Sequence, residues 1–429
     1  MSWKHILTIG FALFAMFFGA GNLIFPPTLG KLAGDQFLLS TIGFLITGVG
    51  LPFLGILAVA KAGGGVEFFA ARVNGNFAKL LSIIIVLAIG PLLAIPRTCA
   101  TTFELAILPN LSGLNSWFFS FIYFGVVMFF ALNPSSVVDR IGKFLTPALF
   151  LALAVLIIKG IFWPVALPVN TFVANAFGQA FVEGYQTMDL LAASIFGLVI
   201  LNDLRNKGVQ TKKGQLSIVL KAGLISVSGL ALVYAGLLYL GATTSSWSAD
   251  ISRTELLVRL AHNLLGWEGM LALGIAVAMA CLTTAIGLTV VCGEYFSKYS
   301  KGKLSYRLIC FLVTGVSLIL SNAGVETIVK IAVVPLVALY PIVMILVIFT
   351  IFGEKIKRRR IWQGAVLGAF FAGCLDSLHR LGAHLPILDS IYINLPFAQN
   401  GLAWIAPAAF LALAGAITVR QGRLSFQLS

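Results

Sequence analysis

Long apolar runs separated by short polar stretches dominate this chain. They lie near residues 6–29, 37–60, 77–108, 114–132, 144–163, 174–201, 217–241, 268–296, 304–321, 326–352, 362–379 and 400–419. A helix needs about 20 apolar residues to cross a bilayer. The pattern therefore predicts an all-α polytopic membrane protein with twelve transmembrane helices. The longest loop, 242–267, carries Ile251, Leu256, Val258 and Leu260 with Glu255, Arg259 and His262 among them. That spacing predicts an amphipathic helix. Two readings of it stand, a lid over an outward cavity and a helix resting on the membrane interface.

Composition agrees: 59% of residues are hydrophobic and 10% charged, against roughly 25% charged in soluble domains. The net charge of +14 would suit nucleic acid, but no soluble domain is present to bind it. Topology explains the charge better. Of 29 Lys and Arg residues, 22 fall at loops on the side of the N-terminus, six at the opposite loops, and Arg97 lies inside the third span. This asymmetry predicts cytoplasmic N- and C-termini. The run Lys357-Arg358-Arg359-Arg360 reads as an anchor of the same kind or as a site for anionic headgroups. Five cysteines sit in apolar segments without a CxxC pair, which indicates neither a disulfide framework nor a zinc site. The first apolar run continues through Asn22 and Pro26 without a polar cleavage region, so it reads as a span rather than a signal peptide.

Two of the spans are flawed as helices. The first contains Phe17-Phe18-Gly19-Ala20-Gly21-Asn22 followed by Pro26-Pro27. Each interior glycine costs about 0.8–1.0 kcal/mol against alanine, and proline about 3. Freed backbone groups in lipid need partners, so such a break belongs where protein covers it or where it lines a wet cavity. The sixth span carries Glu183, Gln186 and Asp189. Intramembrane acids mostly face a bundle interior or a water-filled path; the plainer reading is snorkelling or helix-to-helix glue. Spans one and six enter from opposite sides. Their positions predict a five-plus-five inverted repeat: residues 1–170, residues 171–353, and two additional helices in 354–429.

Unwound backbone offers two kinds of group. N–H groups of Ala20 and Gly21 would face a carboxylate at the start of the second half-helix, and freed carbonyls of Ala15 and Phe18 would face a cation. Carbonyls near Phe181 would take an amine, with Phe181, Gly184 and Tyr185 lining the pocket. Asn22 either caps the half-helix or touches substrate. In span eight, Thr283-Thr284 presents two adjacent hydroxyls that can bracket one hard cation or bond their own helix carbonyls. Arg97 and Glu104 in span three lie seven apart, about 10.5 Å along one face. They read as a structural pair or as a gate.

The runs FALFAMFFGAGNLIFPPTLGKLAG (11–34), GPLLAIPRTCATTFE (90–104) and FVEGYQTMDLLAA (181–193) resemble the bacterial branched-chain amino acid carrier family. The resemblance covers essentially the whole chain. It implies the fold of the leucine transporter within the amino acid–polyamine–organocation superfamily, and sodium-coupled symport of leucine, isoleucine and valine, with sodium as coupling ion and no other cofactor. It also implies a sodium site built from the carbonyls of Ala15, Phe18 and Ala280 with Thr283 and Thr284, through the match of Ala280-Cys281-Leu282-Thr283-Thr284. Two departures stand out. Asn22-Leu23-Ile24-Phe25-Pro26 lacks the outer-gate arginine, and a first sodium site finds no partners in spans six and seven, which favours one sodium per substrate. The alternatives are a proton-coupled carrier, with Glu183 or Glu104 carrying the proton, a sodium-independent carrier, and a channel. An enzyme is disfavoured: His5, His262, His379 and His384 lie at span ends or in loops, and no HExxH, GxSxG or GxxxxGKT motif occurs.

Overall fold

The computed structural model describes residues 3–111, 113–133, 136–353, 356, 358–382 and 386–417, with the side chains of 136–146 and 386–389 undescribed. Lys355, Lys357, His384, Arg420 and Arg423 lie outside the described residues, as do the side chains of Arg140 and Lys143. Every described element is helical: α1 (Trp3–Phe17), α2 (Ala20–Ala33), α3 (Phe37–Leu45), α4 (Leu51–Ala62), α5 (Val66–Ala70), α6 (Gly75–Leu87), α7 (Ala94–Thr102), α8 (Ser116–Leu132), α9 (Ser136–Phe162), α10 (Ala176–Glu183), α11 (Asp189–Asn206), α12 (Lys212–Ala242), α13 (Arg253–Tyr299), α14 (Tyr306–Ser321), α15 (Val325–Phe352), α16 (Arg359–Arg380), α17 (Pro386–Ile393) and α18 (Ile405–Ile417), joined in places by 3-10 and π turns.

Six helical runs among the described residues are long and apolar enough to cross a membrane. A seventh is the pair Ala176–Thr187 and Asp189–Asn206, bent by 41°. Trp3–Phe17, Ser116–Leu132, Pro147–Phe162, Tyr306–Ser321 and Ile405–Ile417 are apolar but shorter. For α1 the shortness follows from the break: Phe18 and Gly19 leave the helix before α2 begins.

Three other interruptions shape the interior. Span three is irregular from Ala88 to Leu93, a π turn containing Pro91, with Gly90 at φ −91°, ψ −117° and Leu93 at φ −128°, ψ −57°. Proline lacks the N–H that would continue the ladder, so α7 starts afresh and carries Arg97 inward. The second is at Gly266, where φ +73° separates the amphipathic segment from the spanning part of α13. The helix expected within 242–267 is thus present but runs on into span eight across a glycine kink. Third, α2 meets α12 through small residues. A side chain on Gly30 would strike the Leu238 carbonyl at 1.8 Å, and one on Gly241 the Pro27 carbonyl at 1.9 Å. Bare backbones let the two helices approach closely, as membrane interfaces favour. This fixes the second half of the broken first span against the seventh.

Candidate functional site

At the first break, Phe18 N–H still donates to Phe14 O at 2.9 Å, but Gly19 N–H turns to the Asn22 side-chain oxygen at 3.2 Å. Asn22 N–H in turn donates to Gly19 O at 3.2 Å. These swaps take away the helical donors of the Ala15 and Phe18 carbonyls, and no backbone donor replaces them among the described residues. Gly19 is therefore the N-cap of α2, and Asn22, three residues on, reaches back to its N–H as the second half of a capping box.

The second break lies further along than the residues expected to form the pocket. The chain tightens into a 3-10 turn over Gly184–Thr187, and Met188 takes a left-handed conformation with φ +61°, ψ +11°. Thr187 Oγ1 donates to Gly184 O at 2.9 Å and accepts from Asp189 N–H at 3.4 Å, closing the corner. Asp189 opens α11, where its carboxylate suits the helix dipole.

Asn22 also joins the two breaks. Its Nδ2 donates to Asp189 Oδ2 at 2.6 Å and to the Tyr234 hydroxyl of α12. With its oxygen on Gly19, every polar group of this side chain is engaged. The sequence left open whether Asn22 caps or touches substrate; the structure shows it closing the start of α2, bridging the two breaks and lining the cavity between them.

Between the breaks lies a cavity with about 420 Å³ of empty space, its open mouth included. One wall is apolar, with Met16, Phe17, Ile89, Phe196 and Leu288; the polar lining is Asn22, Arg97, Thr98, Thr187, Asp189 and Thr284. Gly19 and Ala20 also line it. Met16, Gly19 and Thr284 are partly exposed, whereas Ala20 through Pro27 are buried, so access is from the end of the molecule that holds the N-terminus.

Arg97 is 3% exposed. Its Nη1 donates to Gln186 O at 2.6 Å, and its guanidinium stands 5.3 Å from the Phe25 ring centre, a favourable cation–π distance. Gly21 makes room for it: a side chain there would meet Arg97 Nη2 at 2.7 Å and the Phe25 ring at 2.8 Å. The face of Gly21 expected to admit a ligand is thus covered by Arg97, and Gly21 itself is not among the cavity-lining residues.

Thr283 and Thr284 donate their hydroxyls to Ala280 O at 3.0 and 2.9 Å, which leaves hydroxyl lone pairs free to face a cation. Thr284 sits beside Gly19, its methyl 4.0 Å from where a Gly19 side chain would begin. The structure thus brings the threonine pair next to the break that frees the Ala15 and Phe18 carbonyls.

The structure does not bring the remaining expected residues into the cavity. Phe181 packs with Tyr185, which stacks on Tyr340 at 4.5 Å. Gly184 faces span two, where an added side chain would strike Thr47 Oγ1 at 1.9 Å. Arg97 and Glu104 form no pair: Arg97 faces the cavity, while Glu104 accepts from Thr254 Oγ1 at 2.6 Å and from Val325 N–H at 2.9 Å. Seven residues along the chain, about 10.5 Å of helix rise, separate them, and each takes its partners from a different neighbouring segment. Glu183 pairs instead with Arg253 at 3.1 Å. Arg253 also pairs with Glu326, whose other oxygen accepts Arg253 N–H at 3.0 Å. Its guanidinium lies 5.9 Å from the Phe25 ring centre, so Phe25 has contacts from both Arg253 and Arg97. This cluster ties the start of α13 to spans three, six and ten. Sequence reasoning missed Arg253, Glu326 and Tyr234, and named Asp189 without giving it a role. Their signal was weak: Arg253 looked like one more loop charge, and Tyr234 one more aromatic in an apolar run.

The model of the family "Branched-chain amino acid transport protein" matches residues 2–421. The chain is 38% identical to the branched-chain amino acid permease BraB of Bacillus subtilis, covering 96% of this chain and 95% of that one. It is 39% identical to the branched-chain amino acid transport system 3 carrier protein of Pseudomonas aeruginosa, covering 94% of each. Among solved structures it resembles the inward-facing conformation of Mhp1, with a TM-score of 0.62 at 12% identity over 96% of this chain and 90% of that one. The last likeness concerns the fold alone, an all-helical, polytopic transporter fold. Geometry and relatives agree on a transporter rather than an enzyme: the chain belongs to the branched-chain amino acid transport protein family.

Proposed function

We propose that this protein is a sodium-coupled symporter that brings leucine, isoleucine and valine across the bacterial cytoplasmic membrane by alternating access. The observation that carries this reading is the cavity where two helix breaks meet. It offers helix N-termini and charged groups for an amino acid backbone, and an apolar wall of Met16, Ile89, Phe196 and Leu288 for a branched side chain. Sodium binds beside it, held by the carbonyls of Ala15, Phe18 and Ala280 and by the hydroxyls of Thr283 and Thr284. Its arrival turns both hydroxyl hydrogens outward and frees the Ala280 carbonyl. Hard cations favour such all-oxygen sets.

In this reading twelve spans form a five-plus-five inverted repeat, residues 1–170 and 171–353, with two added helices in 354–429. Both termini are cytoplasmic, following the 22-to-six charge asymmetry. The cavity then opens inward, and the Arg253 cluster with Phe25 closes the outer side. Uptake of labelled leucine into proteoliposomes, with sodium and proton gradients imposed separately, tests the coupling. Accumulation is expected with sodium alone. Full accumulation on a proton gradient without sodium would establish the second reading, proton coupling. That reading is favoured by one observation, the carboxylate of Asp189 on the cavity wall; Glu104 and Glu183 are engaged in the outer cluster.

A further inference from the structure

We propose that Arg97 and Asp189 are the two side-chain charges that read the substrate's α-carboxylate and α-ammonium. This rests on the amino acid transport reading above and names the groups that recognise the backbone of the amino acid.

Both residues line the cavity, and both are almost wholly buried, at 3% and 4% exposure. They carry opposite charge, yet no ion pair joins them among the described residues. Each is only partly satisfied by protein. Arg97 donates through Nη1 to Gln186 O, while its buried Nε has no partner. Asp189 Oδ2 accepts from Asn22, and the Thr187 hydroxyl also lies beside the carboxylate, but no cationic group of the described residues pairs with it. Buried charges are costly without partners. A cation and an anion that face one cavity without touching each other are complementary to a ligand carrying both charges on one carbon.

The orientation follows from the backbone. Arg97 lies over Gly21, at the N-terminus of α2. A carboxylate there meets the guanidinium fork, suited to bidentate pairing, and the free N–H groups of the helix start. The ammonium then points to Asp189 on the second break, and the side chain to the apolar wall. A fixed guanidinium thereby does at the carboxylate what a bound cation could do.

The test is competition against labelled leucine on the purified full-length protein. The competitors are 3-methylbutylamine, which lacks the carboxylate, and 4-methylpentanoate, which lacks the ammonium. The unaltered protein is expected to bind leucine at least about 100-fold more tightly than either, as two charge-assisted contacts imply. In Arg97→Gln, leucine weakens and the amine does not, so the leucine-to-amine gap falls below about 10-fold. In Asp189→Asn, the gap to 4-methylpentanoate collapses in the same way. Variants that bind leucine and keep both gaps overturn the proposal. Thermal unfolding reports whether each variant is folded. If Arg97→Gln is not, Arg97→Lys carries the test, with the amine gap narrowed about tenfold by loss of the fork. Failure of both to fold marks Arg97 as structural and overturns its assignment. If the unaltered protein does not bind leucine at all, the transport reading fails first, before any variant is compared.

Discussion

The two helix breaks line the same cavity but are made differently. The first is written in local sequence. Gly19 sits at φ −114°, ψ −173°, an extended conformation open to any residue, and the side chain of Asn22 closes the gap. The second is imposed by surroundings. Met188, a non-glycine residue, takes the left-handed conformation, which costs about 1–2 kcal/mol. It is buried, with its N–H on Tyr185 O and its carbonyl accepting Ala192 N–H, both at 3.0 Å. Strain of this kind persists where packing over-determines it and gathers at ligand sites. One break is thus a local instruction and the other a tertiary result.

Substitutions at the first break and at the bridge should test that contrast most severely. Gly21→Val places a branched side chain whose first carbon would lie 2.7 Å from Arg97 Nη2. Overpacking costs about 1–3 kcal/mol, and here it also displaces the guanidinium. Leucine binding is expected to vanish, while membrane insertion persists; normal affinity would show that Arg97 does not need this face. Asn22→Ala should come next. It removes the bond to Asp189 that couples the breaks, and hydrogen bonds to charged groups are worth about 1.5–3 kcal/mol. A marked drop in the thermal midpoint with reduced uptake is expected. If stability is unchanged, the two breaks are independent.

Smaller effects should separate the ion site from the outer cluster. Thr284→Val keeps the shape and removes one hydroxyl. The sodium concentration for half-maximal uptake is expected to rise roughly tenfold, equivalent to about 1.4 kcal/mol, with little change in the thermal midpoint. An unchanged sodium dependence in both Thr283→Val and Thr284→Val would remove sodium from this site. Arg253→Gln opens a partly exposed cluster, its side chain 21% exposed. Partly exposed pairs are worth little, about 1 kcal/mol or less, so stability should barely change. Reagent access to a cysteine placed at Phe25 in this variant should rise a few-fold from the outer side. Access equal to that of the same cysteine with Arg253 intact would deny the cluster a closing role.

Legibility follows the same contrast. The apolar runs announced the helical architecture because membrane helices are set by composition over about 20 residues. The first break was legible as a region, from the Gly19-Ala20-Gly21-Asn22 run, but the gap itself is only Phe18–Gly19, and Gly21 and the proline pair lie inside α2. The second was read about one turn early, at Phe181–Tyr185, because its corner at Met188 carries no breaker and owes its shape to contacts with distant spans. Arg97 and Glu104 were read as a pair from helix spacing alone, which does not show that Gln186 takes one and Thr254 and Val325 the other from distant segments. Arg253 could not have been paired with Glu183 and Glu326 from sequence, since 70 and 73 residues separate them along the chain.

The smallest expected effect concerns the other glycine of the first break. A side chain at Gly19 would meet only Asn22 Oδ1 at 3.6 Å and the Thr284 methyl at 4.0 Å, both ordinary contacts. Its backbone lies in the extended region that alanine also adopts. Gly19→Ala should therefore fold normally, and by restricting the unfolded chain it could even gain a few tenths of a kcal/mol. Gly21→Ala should not match it, because its methyl group still reaches Arg97 and Phe25. Thermal midpoints of the two variants, measured side by side, check this: near-identity of Gly19→Ala with the unaltered protein is expected, and a clear loss in Gly21→Ala. Equal losses would mean that both glycines serve the backbone of the break. Equal tolerance would mean that Arg97 can leave its place over α2 without cost. The predicted inequality alone supports a break in which Gly19 opens space beside Thr284 while Gly21 seats the guanidinium.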